Sequence, residues 1–576
     1  MLSLPGARQE RQQKCREMST VDRVFLLGLD GATFDLLGPW MAAGHLPHLS
    51  RLRQEGAWGE LQSTRPPSTA PAWTTCITGV NPGKHGIFDF RESPQLDPRR
   101  PLVSSRSIRA PTLWHILSHH GRDVGVLNVP ITYPPVPVNG ALVSGMMTPG
   151  PNSDYTYPPA LKHELNARGY VIDVEIQKYD VESETDAYRF LDDVAESLAR
   201  RAEALFHLMD SRPWQFFMAV FVALDRIQHL FWKTMADPSS RFYRSRTAPR
   251  LRARILSVYQ AADVLVGRLV DRLGSEGADL LVVSDHGFGP TRSWFNANRW
   301  LQDQGWLRLK RGSALRKRLF YEAMKVNDSP LAKAMLPERL GRTIRGRIRG
   351  GRSAFKTDLD QCVDWPRTQA FFASIPAQGI YINVKRGPDD THGVVGPGAE
   401  YVSVRDGIAR RLRELVDPRT GRPIVDQVWR REDVYYGPYA AYAPDLLFVA
   451  ADYGVLGREL LGARAAVETS EHWANGFHRM NGVFMAWGPH VRPGVYVHGA
   501  TMLDVAPTVL YGLDMAVPDN MEGRVLSEVF DPALVAARPL CSEPALAGPD
   551  TSPDGTYSGD EEAEIAARLA ALGYVE

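Results

Sequence analysis

Unbroken apolar runs alternate along the chain with longer segments of helical periodicity. The run RVFLLGL (23–29) shows no alternation of polar and apolar positions and ends at Asp30-Gly31. This pattern is typical of a strand that is buried on both faces. The other apolar runs that predict strands are 121–129, 141–147, 214–224, 278–284, 379–387, 443–450 and 482–488.

Helical periodicity fills the intervals between several of these runs. It is found at 33–44 and 46–56 and, over longer stretches, at 185–210 and 247–274. Buried strands that alternate with helices predict an α/β fold, with a doubly wound, mostly parallel sheet sandwiched by helices. In such sheets ligands bind beyond the carboxyl ends of the strands.

Four segments depart from this pattern. Residues 307–353 are rich in Arg, Lys and Gly, and they predict a basic helical insertion over 307–365 that either caps the site or exposes a solvated basic face. Peripheral contact with an anionic membrane, or another anionic surface, is the functional alternative. Residues 1–20 predict a disordered extension, 531–561 a linker and 562–576 a C-terminal helix, which leaves 21–530 as the catalytic domain.

Composition describes an ordinary globular protein. The 576 residues are 44% hydrophobic and 23% charged, with a formal net charge of +1, so bulk charge predicts no specific nucleic-acid partner. The four cysteines are far apart, form no CxxC pair and predict reduced thiols. With no apolar run of signal or membrane-span length, a cytoplasmic location is expected. The oligomeric state is left open.

Acidic residues follow three of the predicted strands. Asp30, Asp225 and Asp285 each come directly after an apolar run or within a residue of it. Any one of them could be a helix cap or turn former, but three together indicate a shared site. Asp225 and His229 are four residues apart and would share one face of a helical turn. Asp285 and His286 are adjacent and precede two glycines, which would let the chain turn there.

The sequence also offers a further metal ligand and a nucleophile. His478 precedes another short strand and could supply a further nitrogen, and mixed Asp and His ligands suit zinc or manganese. Thr69 lies two residues before Pro71, near the start of a predicted short helix, where its hydroxyl would face the positive helix end. A metal would lower the pKa of that hydroxyl and activate it. The alternative is that Thr69 is a plain helix N-cap.

The order of these motifs resembles the alkaline phosphatase superfamily. The residues that carry the resemblance are Leu29-Asp30-Gly31, Thr69-x-Pro71, Thr78-Gly79, Pro82-x-x-His85-Gly86, Asp225-x-x-x-His229, Asp285-His286-Gly287 and His478. The chain looks most like the type I phosphodiesterase/nucleotide pyrophosphatase branch, in its bacterial subgroup with APAW and DHGFGP signatures. The similarity spans roughly residues 21–530, and it implies an alkaline-phosphatase-like fold with a cap or insertion region.

The resemblance implies a site with two divalent ions, zinc or manganese. Asp225, His229 and His478 would hold one ion. Asp30, Asp285, His286 and Thr69 would hold the other. Thr69 would attack phosphorus and form a phospho-threonine intermediate, so the implied activity is metal-dependent hydrolysis of a phosphodiester or pyrophosphate bond in a small-molecule phosphate ester.

Some residues depart from the better-known members of this branch. Those members have an Asn three residues after the nucleophile that contacts a phosphate oxygen, whereas this chain has Ala72. The contact would then come from a backbone amide or from the insertion. Trp73 and Lys84 are candidate substrate contacts, although a lysine near the surface more often only solvates. His85 is interpreted as structural.

The same residues bear on the other activities of the superfamily. A sulfatase needs a CxPxR-type sequence, and residues 69–73 read Thr-Ala-Pro-Ala-Trp, which excludes that class. A phosphomonoesterase, a phosphomutase and a non-catalytic metal-binding scaffold stay open. The leaving group, whether nucleotide, lipid-linked or sugar-linked, cannot be read from the sequence.

Overall fold

The computed structural model describes residues 22–96, 99–181, 183–313, 359–387, 390, 392–469, 476–549 and 556–575. The predicted extension over 1–20 lies outside this range. So do residues 314–358, which make up most of the predicted basic insertion and of its proposed membrane contact.

The strands and helices confirm the alternation that the sequence predicts. The strands are β1 (Val24–Leu29), β2 (Ala57–Gln62), β3 (Val124–Val129), β4 (Gly140–Ser144), β5 (Thr156–Tyr157), β6 (Phe216–Phe221), β7 (Asp279–Val283), β8 (Gly287–Pro290), β9 (Ser293–Asn296), β10 (Ala370–Phe372), β11 (Gly379–Ile382), β12 (Val425–Arg430), β13 (Leu446–Ala450), β14 (Val455–Arg458), β15 (Val467–Thr469), β16 (Gly476–Arg479), β17 (Asn481–Trp487), β18 (Val495–Tyr496), β19 (Ala500–Thr501), β20 (Val517–Pro518) and β21 (Ser542–Glu543). The α-helices are α1 (Phe34–Ala42), α2 (Pro47–Glu55), α3 (Thr69–Thr78), α4 (Pro82–His85), α5 (Leu113–His119), α6 (Leu161–Ala167), α7 (Glu184–Ser211), α8 (Ala223–Met235), α9 (Ala248–Glu276), α10 (Ala297–Asp303), α11 (Leu359–Cys362), α12 (Ala399–Arg413), α13 (Val505–Gly512), α14 (Pro532–Ala537) and α15 (Gly559–Ala571).

The chain divides into two compact units. The first comprises Met1–Pro290, Tyr435–Ala443 and Ala474–Leu572, and the second comprises Thr291–Val434, Pro444–Trp473 and Gly573–Glu576. The predicted catalytic domain 21–530 contains residues of both units.

The first unit is built on a mixed, mostly parallel sheet of ten strands, flanked by helices. Its order is β18-β2-β17-β7-β1-β6-β3-β4-β5, with β19 also paired to β2. The central strands β7, β1, β6, β3 and β4 are parallel, while β17 runs antiparallel to both β2 and β7. Every residue of β1 and β6 is buried, as their unbroken apolar runs predict. The predicted α/β class is confirmed.

The second unit contains two smaller sheets. One has the order β10-β11-β13-β12, and the other has the order β14-β9-β15. Its core packs Phe295, Trp300, Phe372, Ile408 and Phe448 among other buried side chains. Over the described residues of both units, no helix combines the length and the apolar character needed to cross a membrane.

Three segments differ from the predictions. The apolar run 214–224 forms a strand only to Phe221, because the chain enters helix α8 at Ala223. The predicted linker 531–561 contains, within its described part, helix α14 and strand β21. The C-terminal helix begins at Gly559 instead of 562, because Ser558 and Glu561 form a capping box there, which satisfies free N–H groups at the helix start.

Candidate metal centre

Two adjacent strands bring the first acidic group together. Strands β1 and β7 are parallel neighbours in register, with Gly28 opposite Val283, so Asp30 and Asp285 emerge at the same edge of the sheet. Gly31 takes φ +70, and a Cβ there would lie 3.1 Å from the backbone of Asp225, so only glycine fits this turn. Its N–H donates to Asp285 Oδ1 at 3.2 Å.

His286 completes this first group. Its Nε2 lies 3.1 Å from Asp285 Oδ2 and 3.9 Å from Asp30 Oδ1, and all three side chains are fully buried. Its Nδ1 lies 3.2 Å from the carbonyl oxygen of Gly287. A carbonyl only accepts, so Nδ1 carries the proton and the Nε2 lone pair faces the carboxylates.

A second group lies on helix α8 and strand β16. Asp225 is the third residue of α8 and not the end of a strand, and His229 follows one turn later on the same face. His229 Nε2 lies 3.3 Å from Asp225 Oδ1. His478 Nε2 lies 3.7 Å from that oxygen and 3.2 Å from His229 Nε2. The Nδ1 atom of His478 donates to the carbonyl of Pro67 at 3.2 Å, so its Nε2 lone pair also faces inward.

The two groups touch through their histidines. The rings of His286 and His478 stack with centroids 3.4 Å apart. Ligand atoms of Asp30, Asp285 and His286 lie within 4.8 Å of one another, and so do those of Asp225, His286 and His478. His286 therefore reaches both groups, whereas the resemblance assigns it to the first alone.

Thr69 lies at the edge of this cluster. It is the first residue of α3, and Ser68 takes the N-cap position, so the alternative that Thr69 is the cap is wrong. Its Oγ1 lies 3.1 Å from His286 Nε2, which is the unprotonated nitrogen, so the threonine hydroxyl donates. The hydroxyl of Thr69 is thus fully buried at the positive end of a helix, against a metal-ligand candidate.

The carboxylates of the two groups differ in their electrostatics. Burial, and then the charge of Asp225, raises the pKa of Asp30 to about 8. Burial together with Asp30 and Asp225 raises the pKa of Asp285 well above its usual value. Burial also opposes the ionisation of Asp225, but His229, His478 and Arg226 hold its pKa well below the usual value.

Burial also keeps His478 and His286 neutral. It lowers the pKa of His478 to about 4, and burial together with His478 lowers the pKa of His286 well below its usual value. Neutral imidazoles with an inward lone pair are the form that binds a metal ion.

The residues fit a divalent cation. Asp30 Oδ1, Asp225 Oδ1 and Asp285 Oδ2 are buried and make no hydrogen bond within the described residues. Buried carboxylate oxygens without a donor are costly, and a cation would offset that cost. Carboxylate oxygens combined with imidazole nitrogens are a donor set for zinc or manganese.

Sequence reasoning missed three residues that support the cluster. Trp73, predicted as a substrate contact, is fully buried and donates its indole N–H to Asp30 Oδ2 at 3.0 Å. Gly28 makes room for it, since a Cβ there would lie 2.4 Å from the indole ring. Gln228 donates to the carbonyl of Gly31 at 2.7 Å. Glycine within an apolar strand was the available signal, since it marks the close approach of another group.

Arg226 is the third of these residues. It is buried and forms ion pairs with Asp225 and, at 2.7 Å, with Asp173 Oδ2. Its position next to a ligand candidate carries no information about a partner 53 residues away, so the sequence could not reveal the pairing with Asp173.

Lys84 is engaged away from the cluster's carboxylates. Its Nζ lies 2.6 Å from Glu522 Oε1 and donates to the carbonyl of Asn520 at 3.0 Å, which favours a structural role over substrate contact. His85 is fully buried and bonded to Thr75 Oγ1 at 3.0 Å. Burial lowers the pKa of His85 to about 3, in keeping with a structural, neutral imidazole.

The chain is similar to several solved structures. Among solved structures, human ectonucleotide pyrophosphatase/phosphodiesterase 5 is 12% identical with a TM-score of 0.46, and covers 88% of this chain and 99% of its own. Its murine counterpart, in an inactive form in complex with AMP, is 14% identical with a TM-score of 0.44, at coverages of 86% and 96%. Phosphonoacetate hydrolase from Sinorhizobium meliloti, with phosphonoacetate bound, is 14% identical with a TM-score of 0.49, at coverages of 86% and 95%.

No curated protein sequence matches the chain significantly. The family model for type I phosphodiesterase/nucleotide pyrophosphatase matches residues 24–397. This range includes Asp30, Thr69, Asp225, His229, Asp285 and His286. The chain belongs to the type I phosphodiesterase/nucleotide pyrophosphatase family, within the alkaline phosphatase superfamily.

Proposed function

We propose that this protein is a metal-dependent phosphohydrolase that cleaves a phosphodiester or pyrophosphate bond through a phospho-threonine intermediate on Thr69. One observation carries the proposal. The Thr69 hydroxyl lies at a helix N-terminus, 3.1 Å from His286 Nε2, at the edge of a buried cluster of three carboxylates and three imidazoles. Membership of a family of phosphoric ester hydrolases supports it.

Two divalent ions are part of the proposal. Asp225, His229 and His478 would hold one of them, and Asp30, Asp285 and His286, with Thr69, would hold the other. When bound, such ions supply Lewis-acid stabilisation of charge at phosphorus and lower the pKa of a bound hydroxyl.

The residues of the chain then account for the two steps. In the first, the Thr69 hydroxyl loses its proton to solvent, Oγ1 forms a bond to phosphorus, and the bond from phosphorus to the leaving-group oxygen breaks, with that oxygen taking up a proton from solvent. In the second, a water oxygen replaces Oγ1 at phosphorus and the Thr69 hydroxyl is restored. The start of α3 would stabilise charge on the phosphoryl oxygens, because a helix N-terminus favours negative charge. The indole of Trp73 keeps Asp30 oriented throughout.

Turnover of matched esters tests this function. A nitrophenyl phosphodiester and the corresponding monoester are assayed with the metal-loaded wild type, Thr69→Ala and Thr74→Ala. We expect diester turnover to exceed monoester turnover and to fall by about 10³-fold or more in Thr69→Ala, because the nucleophile is lost. Thr74→Ala is the control, since that hydroxyl bonds only the carbonyl of Ala70 in its own helix.

Each other outcome has a distinct meaning. Preference for the monoester would replace the diesterase with a phosphomonoesterase. Turnover that persists in Thr69→Ala, with no phosphate found on Thr69 by mass spectrometry after acid quenching, would contradict the covalent route. No turnover of either ester, with two equivalents of metal bound, would favour a non-catalytic role.

We also propose that the protein acts in the cytoplasm. Within the described residues, no disulfide joins Cys76, Cys362 and Cys541, as is usual in a reducing compartment. Cell fractionation tests this location, and recovery from a membrane fraction that high salt releases would support the anionic-surface contact predicted for 307–353.

A further inference from the structure

Ser68 is an N-cap residue that does not cap its helix. It precedes Thr69, is fully buried, and its Oγ makes no hydrogen bond within the described residues. An N-cap serine normally accepts from the N–H of the second or third helical residue. Here the third helical residue is Pro71, which has no N–H. One of the two usual partners is therefore missing, and the Ser68 hydroxyl makes no cap bond to the N–H of Ala70 either.

The residues on either side of Ser68 contact the candidate metal centre. The carbonyl of Pro67 accepts from His478 Nδ1 at 3.2 Å. Thr69 Oγ1 donates to His286 Nε2 at 3.1 Å, and these two imidazoles stack on each other. Ser68 thus lies between two residues that each bond to one of the stacked rings, at the same helix end as the nucleophile.

Position 72 explains why a serine hydroxyl would be needed here. Ala72 lies one turn after Ser68, and its N–H donates to the carbonyl of Ser68 at 2.9 Å. Side chains on a helix lean toward its N-terminus, so a longer side chain at position 72 would project over Ser68 and Thr69. The Ala72 side chain has no polar atom to offer.

We propose that the Ser68 hydroxyl donates a hydrogen bond to a non-bridging oxygen of the phosphoryl group that Thr69 attacks, together with the N–H groups of Thr69 and Ala70. The assignment rests on the proposed function. A buried hydroxyl that has no partner before the substrate arrives is already in place for charge that develops at phosphorus. Ser68 keeps its own proton in both steps and forms no bond to phosphorus.

The test compares Ser68→Ala with Ser63→Ala in the metal-loaded protein. Ser63 is the matched control because its Oγ is also buried and without a hydrogen bond within the described residues, but it lies outside helix α3. We expect Ser68→Ala to lower kcat on the nitrophenyl diester by about 10- to 100-fold and to weaken binding of orthovanadate, measured by calorimetry, by about tenfold or more. Ser63→Ala should stay within about twofold of wild type, and Ser68→Thr should retain most of the activity because it retains a hydroxyl.

Two further measurements separate catalysis from structure. Metal stoichiometry and the melting temperature of Ser68→Ala should match the wild type, because no cap bond is lost. A fall in either would show that the hydroxyl is structural and would overturn the assignment.

The outcomes also separate this assignment from the proposed function. Wild-type turnover of the diester with unchanged kcat and vanadate affinity in Ser68→Ala would remove the role of Ser68 and leave the function intact. If the wild type turns over neither ester, the proposed function is wrong, and orthovanadate binding is then the only test of the role of Ser68. Weaker binding in Ser68→Ala would still support an oxyanion site there, and equal binding would refute it.

Discussion

The two halves of the candidate metal centre contain the same kind of carboxylate in opposite electrostatic states. Asp30 and Asp225 are both fully buried. The pKa of Asp30 is raised to about 8 by burial and by Asp225, whereas the pKa of Asp225 is held well below its usual value despite burial. Depth of burial therefore does not distinguish them.

Their partners do. Asp225 is paired with the Arg226 guanidinium and lies beside His229 and His478, so its charge is compensated by the protein alone. Asp30 has one indole N–H from Trp73, and Asp285 has the N–H of Gly31, neither of which carries a full charge. Asp30 and Asp285 would need a bound cation to stay ionised, whereas neighbouring side chains already stabilise the negative charge of Asp225.

Removing the Arg226 guanidinium should have the largest effect, and the quantity affected is the free energy of unfolding. Arg226→Met would remove the guanidinium that pairs with Asp225 and Asp173 and leave Asp225 buried without it, and a broken buried pair costs about 3–5 kcal/mol. We expect the free energy of unfolding, measured in urea, to fall by that amount, and Arg226→Lys to recover part of it because it keeps the charge but not the fork. Arg272→Met is the control, since the half-exposed pair with Glu276 should contribute about 1 kcal/mol or less. Equal losses in both variants would mean that Asp225 does not depend on Arg226.

Acidity should separate the two halves in the metal-free protein. Asp30 has a folded pKa of about 8 against an ordinary value of 3.8, so between these values the folded state binds more protons than the unfolded state. The stability that Asp30 contributes then falls as the pH rises through this window, by up to about 1.4 kcal/mol per pH unit. Below about pH 6.5 the buried histidines His286 and His478 oppose this fall, because they bind protons more readily in the unfolded state. Asp225 adds no slope there, because its pKa lies below the window.

The difference in stability between the wild type and Asp30→Asn, both treated with a chelator and unfolded in urea from pH 5 to pH 8, separates this slope from the contributions of Asp285 and the histidines. Added Zn²⁺ or Mn²⁺ should abolish that difference in slope, because a bound cation keeps the carboxylates ionised. A wild-type slope that Asp30→Asn leaves unchanged would show that Asp30 does not titrate in this range.

Much of the central fold could be predicted because it depends on local patterns. The run 23–29 and the helical segment 185–210 correspond to strand β1 (Val24–Leu29) and helix α7 (Glu184–Ser211) within a few residues. Strand β2 (Ala57–Gln62) was missed because it is short and only half buried, and its place in the sheet depends on the distant strand β17.

The candidate site also has a part that local sequence patterns predict and a part that depends on distant partners. The seven predicted ligand and nucleophile residues converge because strand ends of a parallel sheet meet at one edge and because Asp225 and His229 share a helical turn. The supporting contacts of Arg226 and Trp73 come from partners that are distant in sequence, Asp173 and Asp30, and no local pattern encodes those pairings. The glycine at position 28 is the exception, since it marked a close approach without naming the ring that fills the space.

The smallest expected effect concerns the hydrogen bond that orients Asp30. Trp73→Phe keeps an aromatic ring in the space beside Gly28 and removes the N–H that donates to Asp30 Oδ2. Loss of a group that orients a metal ligand lowers metal affinity by about 10- to 100-fold, so we expect about a tenfold weaker binding of one of two Zn²⁺ equivalents in a competition titration with a chelator. Trp114→Phe is the matched control, because the Trp114 Nε1 is buried and makes no hydrogen bond within the described residues, and it should leave both affinities unchanged. If Trp73→Phe instead weakened both equivalents alike, the two halves would act as one site, and the contrast between Asp30 and Asp225 would not extend to metal binding.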